Sequence, residues 1–439
     1  MKWKDRKGGV VVIVVGGQLG SESKGNAVVQ LTKELQVDYA VRTGSINAGH
    51  TCFYNGSFHA MQQIPVSWID PSTRLVIGRG AYVDPELLKK EIALIDAEQP
   101  KIGTKQRLIV DPDAGTQLPK HEHLEQEAGL HGRMGSTGHG CMESQIDRMR
   151  RKEDYMTIGR YAKEVEPHIE DRLTWGKTDE MLNDAYDLGQ TILLEGTQGT
   201  HLDFLHGDHP FVTTRPTCAA HWMTEAGLSP NLDTTIYSVC RTYPIRVAGN
   251  SGPMGQELSW PDLVRRVRAR LKDIAYEGPE WLPSEVEIEE FENAEVMAMT
   301  ELDLPVRPHL IVGEDRLKHA QALSDVHKRT FEILGDDKMK SLKRFFEITT
   351  VTKKLRRIAK MDPVYMKRMV KLNRPDYIVL NFLNYVYPEV SNCKTLEDVQ
   401  RLSRWSGISD YVSDIESMTG VPVSHLGLSR EVTVTYHHD

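Results

Sequence analysis

The spacing of apolar and polar positions changes character several times along the chain. Val10 to Val15 is an unbroken β-branched run, which predicts a strand buried on both faces of a parallel sheet, and a polar, glycine-bearing turn from Gly16 to Gly25 follows it. A helix is expected next, from about Glu22 to Leu35. Short apolar runs bounded by turn residues recur at Tyr39–Val41, Leu75–Ile77, Leu108–Val110, Ile192–Leu194 and Tyr377–Leu380, and helical stretches separate several of them. Alternation of this kind predicts an α/β fold around a mainly parallel central sheet. From Pro261 to Ile274, apolar residues at 263, 264, 267 and 271 have the spacing of an amphipathic helix. Its Arg265, Arg266, Arg268 and Arg270 read as a solvated face. The acidic stretch from Pro283 to Glu295 reads as a solvated loop or linker. Without an internal repeat or low-complexity tract, residues 1–439 are expected to form one large domain with helical and loop insertions.

Charge narrows the partners. The 54 basic and 62 acidic residues give a net charge of −8, so the overall field repels polyanions and a nucleotide has to be held by a local cluster of donors. Nucleic acid is therefore not an expected partner. The apolar run near the N-terminus is six residues long and ends at Gly16, Gly17 and Gln18, which suits a first strand better than a signal peptide. No run approaches the roughly 18 apolar residues of a membrane-spanning helix. The cysteines at 52, 141, 218, 240 and 393 are odd in number and lack a C-x-x-C pair, so no disulfide framework is expected. A cytoplasmic protein without a membrane partner is the expectation.

Four segments carry candidate chemistry. In Gly16-Gly17-Gln18-Leu19-Gly20-Ser21-Glu22-Ser23-Lys24-Gly25, between a buried strand and a helix, backbone N–H groups and the helix N-terminus suit an anion, and Lys24 adds a point charge. Asn26 follows Gly25 where a Walker A loop needs Lys, so the segment is not that motif. In Asn47-Ala48-Gly49-His50-Thr51 a histidine and a nearby amide can each meet a phosphate or carbonyl oxygen. Glu195-Gly196-Thr197-Gln198-Gly199-Thr200 places small residues at a strand end, where ligands approach an α/β sheet. Gly135-Ser136-Thr137-Gly138 pairs hydroxyls with glycines, as phosphate sites do. His201, Asp203, His206, Asp208 and His209 look superficially like metal ligands, but a turn-rich loop without a fixed i, i+4 pair is weak evidence. His121-Glu122-His123 reads as a solvated turn.

With these motifs in this order, the chain resembles the adenylosuccinate synthetase family, which joins aspartate to C6 of a purine nucleotide at the expense of a nucleoside triphosphate. The family's opening signature, Gly-x-Gln-Trp-Gly-Asp-Glu-Gly-Lys-Gly-Lys, stands with changes at Gly16 to Asn26. Its Asn-Ala-Gly-His-Thr motif is intact at 47–51, and its Glu-Gly-Ala-Gln-Gly-Thr motif reappears at 195–200, followed by Leu202-Asp203-Phe204-Leu205-His206-Gly207. Its late Thr-x-x-x-Arg-Arg loop is recognisable at Thr352 to Arg357. The resemblance runs from about residue 10 to 425. It implies a large α/β domain related to the P-loop NTPases.

The same resemblance implies catalytic roles for Ser21, Lys24, His50 and Gln198, with Lys24 and His50 serving the transferring phosphoryl group and His50 acting as general acid. Ser21, Asn47, Ser136, Thr137, Gln198 and Thr217 are implied to hold the monophosphate. Arg151, or its neighbours Arg148 or Arg150, would reach the 5′-phosphate from the other subunit of a homodimer. The implied triphosphate residues are Gly20, Glu22, Ser23, Lys24, Gly25, Asn26, Gly49, His50, Thr51, Asn381, Asn384 and Gly427. Thr352, Lys354, Arg356 and Arg357 match the loop that grips L-aspartate, where guanidinium forks suit a dicarboxylate. Mg²⁺ is implied beside the triphosphate, with the Gly49 carbonyl and Ser21 as ligands.

Three departures sharpen the expectation. Ser21 stands where the family has the Asp that takes the proton from N1 of the purine; a short hydroxyl leaves room for a 2-amino group and can accept its N–H, as guanine requires. Asn384 replaces the Asp that grips guanine in GTP, and its one donor and one acceptor match adenine. Phe382 replaces a stacking Lys of the same loop. Lys353-Lys354-Leu355 replaces Gly-Arg-Arg, one of whose arginines contacts the ribose 2′-hydroxyl. Together these resemble the phage-type branch of the family, which starts diaminopurine synthesis from dGMP, here with ATP or dATP. Ordinary adenylosuccinate synthesis from IMP with GTP is the second reading, opposed by Ser21 and Asn384. A catalytically silent nucleotide-binding protein is the third, opposed by the intact His50, Gln198 and aspartate-loop arginines.

Overall fold

The structure, a computed structural model, describes residues 8–128, 138–247, 251–272, 278–304, 316–348 and 354–436. It is built on a ten-stranded sheet. In chain order the strands are β1 (Val10–Gly16), β2 (Tyr39–Arg42), β3 (Arg74–Ile77), β4 (Leu108–Val110), β5 (Thr174–Trp175), β6 (Thr191–Glu195), β7 (Thr234–Arg241), β8 (Tyr377–Asn381), β9 (Val423–Gly427) and β10 (Thr433–Thr435). Across the sheet they lie β10-β9-β8-β7-β1-β6-β2-β3-β4-β5. All neighbours are parallel except β9 and β10, so the mainly parallel α/β fold expected from the sequence is present.

β1 is central because both of its faces are apolar. Val12 and Val14 face a core that includes α1 (Lys24–Glu34) and α2 (Pro85–Glu98), while Val11, Ile13 and Val15 face a second core with α3 (Thr178–Asp187) and α4 (Ala219–Ala226). Each such buried side chain contributes roughly 1.5–3 kcal/mol of transfer free energy. The strands up to β5 lie on one side of β1, with β6 inserted between β1 and β2, and β7 to β10 lie on the other. This reversal is the switch point at which open α/β sheets bind ligands beyond their C-terminal strand ends. Gly16, Arg42, Glu195, Arg241, Asn381 and Gly427 all end strands on that edge.

Several expectations need correction. α1 starts at Lys24 rather than Glu22, because Gly20, Ser21 and Ser23 hold positive φ angles of 85°, 58° and 64°, and the loop runs on before the helix winds. The helix expected over 261–274 is α5 (Trp260–Lys272). Its arginines are not simply a solvated face: Arg265 pairs with Glu292, Arg268 Nε donates to the Pro283 carbonyl at 2.6 Å and Arg270 Nη1 to that of Val386 at 3.0 Å, while Arg266 is exposed. The acidic stretch is not a linker but opens α6 (Glu285–Glu301), capped by Ser284 and Glu287 and buried along Ile288, Phe291, Ala294 and Ala298. His121 is not in a solvated turn either. It lies buried in the helix Pro119–Glu127, its Nδ1 accepting from Leu118 N–H at 3.0 Å and its Nε2 facing Asp147 at 3.2 Å. Among the described residues no helix is long and apolar enough to cross a membrane.

Candidate active site

The loop after β1 is folded around its own carboxylate. Glu22 is fully buried; its Oε1 accepts the N–H groups of Gly20 at 2.7 Å and Gln18 at 3.2 Å, and its Oε2 meets Lys24 Nζ at 2.7 Å. Lys24 also donates to the Gln198 carbonyl at 2.6 Å, which ties this loop to the one after β6. The two loops approach so closely that a Cβ on Gly16 would collide with the Gln198 carbonyl. Ser21, by contrast, is exposed at the loop's tip.

His50 opens a hairpin, His50–Tyr54 with Ser57–Met61, that leans on α1; Gly25 permits this approach, since a Cβ there would strike the Thr51 carbonyl. His50 Nδ1 lies 2.6 Å from Glu195 Oε1, which also takes Arg42 Nη1 at 2.6 Å, while Glu195 Oε2 accepts Val66 N–H at 2.9 Å. A carboxylate only accepts, so Nδ1 carries the hydrogen and Nε2 is the free nitrogen. Burial, reinforced by the Arg42 charge, pushes the His50 pKa down to about 4 against the pull of Glu195. Burial raises Glu195 itself, but Arg42 and His50 outweigh it and hold the carboxyl below its ordinary range.

On the other side of β1, Asn381 at the end of β8 donates to the carbonyls of Glu22 at 2.7 Å and Ser23 at 3.2 Å, so its amide supports the loop. Gly427 packs on Asn381, and Asn26 donates to the Arg430 carbonyl at 2.7 Å. Asn384 is buried, and its Oδ1 has no partner among the described residues. A cavity of about 870 Å³ opens here, lined by Ser23, Asn26, Thr51, Phe331, Lys343, Glu347, Arg356, Phe382 and Arg430, among others.

Among the expected aspartate-loop residues, Arg356 Nη1 donates to Ser21 Oγ at 3.1 Å. Arg357 turns elsewhere, its Nε to Glu257 at 2.9 Å and its Nη1 to the Gly252 carbonyl at 2.7 Å. Lys354 is part-buried, and Thr352 lies outside the described residues, as do Ser136 and Thr137. Thr217 Oγ1 donates to the Gly199 carbonyl at 3.0 Å, beside Gln198, and Asn47 precedes His50 on the same strand-end edge. Arg148 is held by the carbonyls of Arg79 and Asp113, whereas Arg150 and Arg151 are exposed. In the loop with superficial metal character, Asp203 accepts backbone N–H groups of Leu205, His206 and Thr217, and His201 stacks on Tyr365 with centroids 4.2 Å apart.

The sequence model of adenylosuccinate synthetase matches residues 13–157 and 142–397 of this chain. The chain belongs to the adenylosuccinate synthetase family. It is thus a ligase that forms a C–N bond with aspartate. The adenylosuccinate synthetase of Pyrococcus horikoshii is 35% identical over 250 residues, covering 56% of this chain and 69% of that enzyme, and the one from Pyrococcus sp. strain ST700 is 33% identical over 249 residues with the same coverage. Among solved structures, the succinoaminodeoxyadenylate synthetase of cyanophage S-2L, bound to dGMP and to dATP as an energy donor, shares the fold with TM-score 0.66 at 21% identity over 98% of this chain and 95% of that one. The fully ligated adenylosuccinate synthetase of Plasmodium falciparum shares it with TM-score 0.66 at 16% identity over 97% and 100%.

Within this family fold, Glu195 contacts His50, Arg241 contacts Ser21 and Glu347 contacts Arg356, while Arg42 holds Glu195, although the motifs alone gave these four no role. Two of them carried a readable signal: a charged side chain closing a short apolar run, as Arg42 and Glu195 do, has to find a partner or a ligand at the sheet edge.

Proposed function

We propose that the chain joins L-aspartate to C6 of dGMP at the expense of ATP or dATP, giving N6-succino-2-amino-2′-deoxyadenylate, ADP or dADP, and phosphate. Ser21 carries the reading. It stands where the family signature has an aspartate, and the loop's other carboxylate does not replace it, because Glu22 is folded back onto Gly20 and Lys24. A hydroxyl at this tip leaves room for a 2-amino group and can accept its N–H. Water or a substrate phosphate oxygen then takes the N1 proton. The fold is shared with a cyanophage enzyme bound to dGMP and dATP and equally with the Plasmodium falciparum adenylosuccinate synthetase, so the choice between the two readings rests on Ser21 and Asn384.

The γ-phosphate moves to O6, with Lys24 and His50 Nε2 stabilising the charge on the transferring group. The pKa of His50 is low in the protein alone, and a dianionic phosphoryl group beside Nε2 raises it, so the imidazole gains its proton where the acid is needed. The amine of aspartate then displaces phosphate from C6. Asn47, Gln198 and Thr217 hold the monophosphate, together with Ser136 and Thr137; in a homodimer the partner subunit's Arg151 reaches the 5′-phosphate. Arg356 is the guanidinium fork for aspartate, aided by Lys354 and Thr352, since Arg357 is committed to Glu257. The cavity beside Asn26 and Phe382 is the space for the triphosphate, and Asn384, buried in the turn behind Phe382, reads the base once it turns toward that cavity.

Mg²⁺ bound to the triphosphate would neutralise charge on the β- and γ-oxygens. Gly49 is exposed beside His50 and its carbonyl suits an oxygen-seeking cation. Ser21 fits less well as a ligand, because its Oγ already receives the Arg356 guanidinium.

Phosphate release with aspartate and Mg²⁺, measured across dGMP, GMP and IMP each crossed with ATP, dATP and GTP, tests the proposal. Fastest turnover of dGMP with ATP or dATP is expected. Fastest turnover of IMP with GTP would make the chain an ordinary adenylosuccinate synthetase, and no release with any pair would make it a silent nucleotide-binding protein.

A further inference from the structure

We infer that Arg241 is a positioning residue that couples the two nucleotide subsites, holding the backbone of Ser21 with one edge of its guanidinium and the ring of Phe382 with its face. The inference rests on the roles given to Ser21 and Phe382 in the proposed function.

β7 delivers Arg241 as its last residue, 1% exposed. Its backbone brackets the Gln18 amide: the Arg241 N–H donates to Gln18 Oε1 at 2.9 Å, and its carbonyl accepts from Gln18 Nε2 at 3.0 Å. Nη1 donates to the Ser21 carbonyl at 2.9 Å and to Glu347 Oε2 at 3.2 Å, Nη2 donates to Glu347 Oε1, and Nε donates to the Tyr243 carbonyl at 3.1 Å. Cζ sits 3.7 Å from the centroid of Phe382, and the Tyr385 hydroxyl fixes Glu347 from behind at 3.0 Å. Every guanidinium nitrogen is engaged in a planar arrangement that a lysine cannot reproduce.

Ser21 and Phe382 share an uncommon backbone state, with φ of 58° and 62°. Residues other than glycine keep such angles only where their surroundings enforce them. Arg241 is a common part of both surroundings. By holding the Ser21 carbonyl it sets the direction of the hydroxyl that meets the 2-amino group. By covering one face of Phe382 it leaves the other face for the base of the triphosphate. Selection of the monophosphate and binding of the triphosphate therefore depend on one side chain that need touch neither.

Three variants test this, each checked first for folding by circular dichroism and thermal midpoint. Arg241→Lys keeps the charge and loses the fork. Arg241→Gln removes the charge and the fork while Glu347 keeps Arg356 as a counter-charge. Phe382→Leu leaves all charges paired and probes the coupling from the other end. Each is expected to shrink the dGMP:IMP ratio of specificity constants about tenfold and to raise KM for ATP about tenfold, with KM for aspartate within about threefold of wild type. Folded variants whose ratio and KM for ATP both stay within about twofold of wild type, or in which only one of the two moves, overturn the inference. A wild type that prefers IMP refutes the dGMP reading separately, and the coupling is then judged on how far the variants change that ratio.

Discussion

His50 Nδ1 and Glu195 Oε1 lie 2.6 Å apart, with Glu195 fully buried and His50 nearly so. The same carboxylate is anchored by Arg42 and by the Val66 N–H, so it fixes both the tautomer and the plane of the imidazole. Glu195→Gln should therefore lower turnover about 100-fold while KM for the triphosphate changes little, because the ring loses orientation rather than contact. It also removes a negative charge that raises the His50 pKa, so the limb of the kcat–pH profile that reports the acid should move to lower pH. A variant with the turnover and pH profile of wild type would show that Glu195 does not orient the histidine.

Acid should destabilise the protein through its buried neutral histidines. Burial is the main cause that pushes both His50 and His201 down to about 4. Their folded pKa values lie below the ordinary 6.5, so the unfolded chain binds more protons between those limits. Their contribution to stability is fully present above pH 6.5 and is lost as pH falls toward 4. Urea midpoints should drop across this window, and His201→Gln, which removes one of the two groups, should flatten the drop. Equal pH dependence in the variant and wild type would rule out His201 as a contributor.

The strands legible in the sequence were those with unbroken apolar cores, such as Val10–Val15 and Leu108–Val110. β7 was not legible, because Thr234, Thr235, Ser238 and Arg241 interrupt its pattern while the strand lies between two others. β9 was hidden for a related reason: its buried His425 is satisfied by Glu34 at 2.8 Å, a pairing that spans 391 positions and that no local window contains. The site divides in the same way. The loop of Lys24 and the motif of His50 are local and could be read. The partners that set their geometry are not local, since Glu195 lies 145 positions from His50 and Glu347 lies 106 from Arg241. The acidic segment of α6 misled because its charge density masked the spacing of Ile288, Phe291 and Ala294, which the fold buries.

Ser21→Asp tests the monophosphate reading directly. The longer carboxylate would crowd a 2-amino group and would also restore an acceptor for the N1 proton of hypoxanthine. It would in addition face Arg356, which now donates to Ser21 Oγ at 3.1 Å. The dGMP:IMP ratio of specificity constants should fall by about 10-fold or more, with some gain in absolute IMP turnover. Steady-state kinetics on both substrates decides it; an unchanged ratio would remove Ser21 as the determinant of base choice.

Asn384→Asp tests the triphosphate. Asn384 sits in the short turn Leu383–Tyr385 after β8, buried beside Phe382, with an Oδ1 that has no partner among the described residues. An amide offers one acceptor and one donor, which adenine answers with its N6–H and N1. Guanine presents two donors on that edge, and one of them would face the amide NH₂ and stay unpaired when desolvated, at a cost of roughly 1–3 kcal/mol. ATP or dATP should therefore exceed GTP by about 10-fold to 100-fold in specificity constant in the wild type. The aspartate variant presents acceptors only, matches both guanine donors and repels the adenine N1 lone pair, so preference should move toward GTP. Competition kinetics at saturating dGMP and aspartate measure both proteins under one condition. A wild type that prefers GTP would end the adenine reading, and a variant with the wild-type preference would mean that the base is read by another residue.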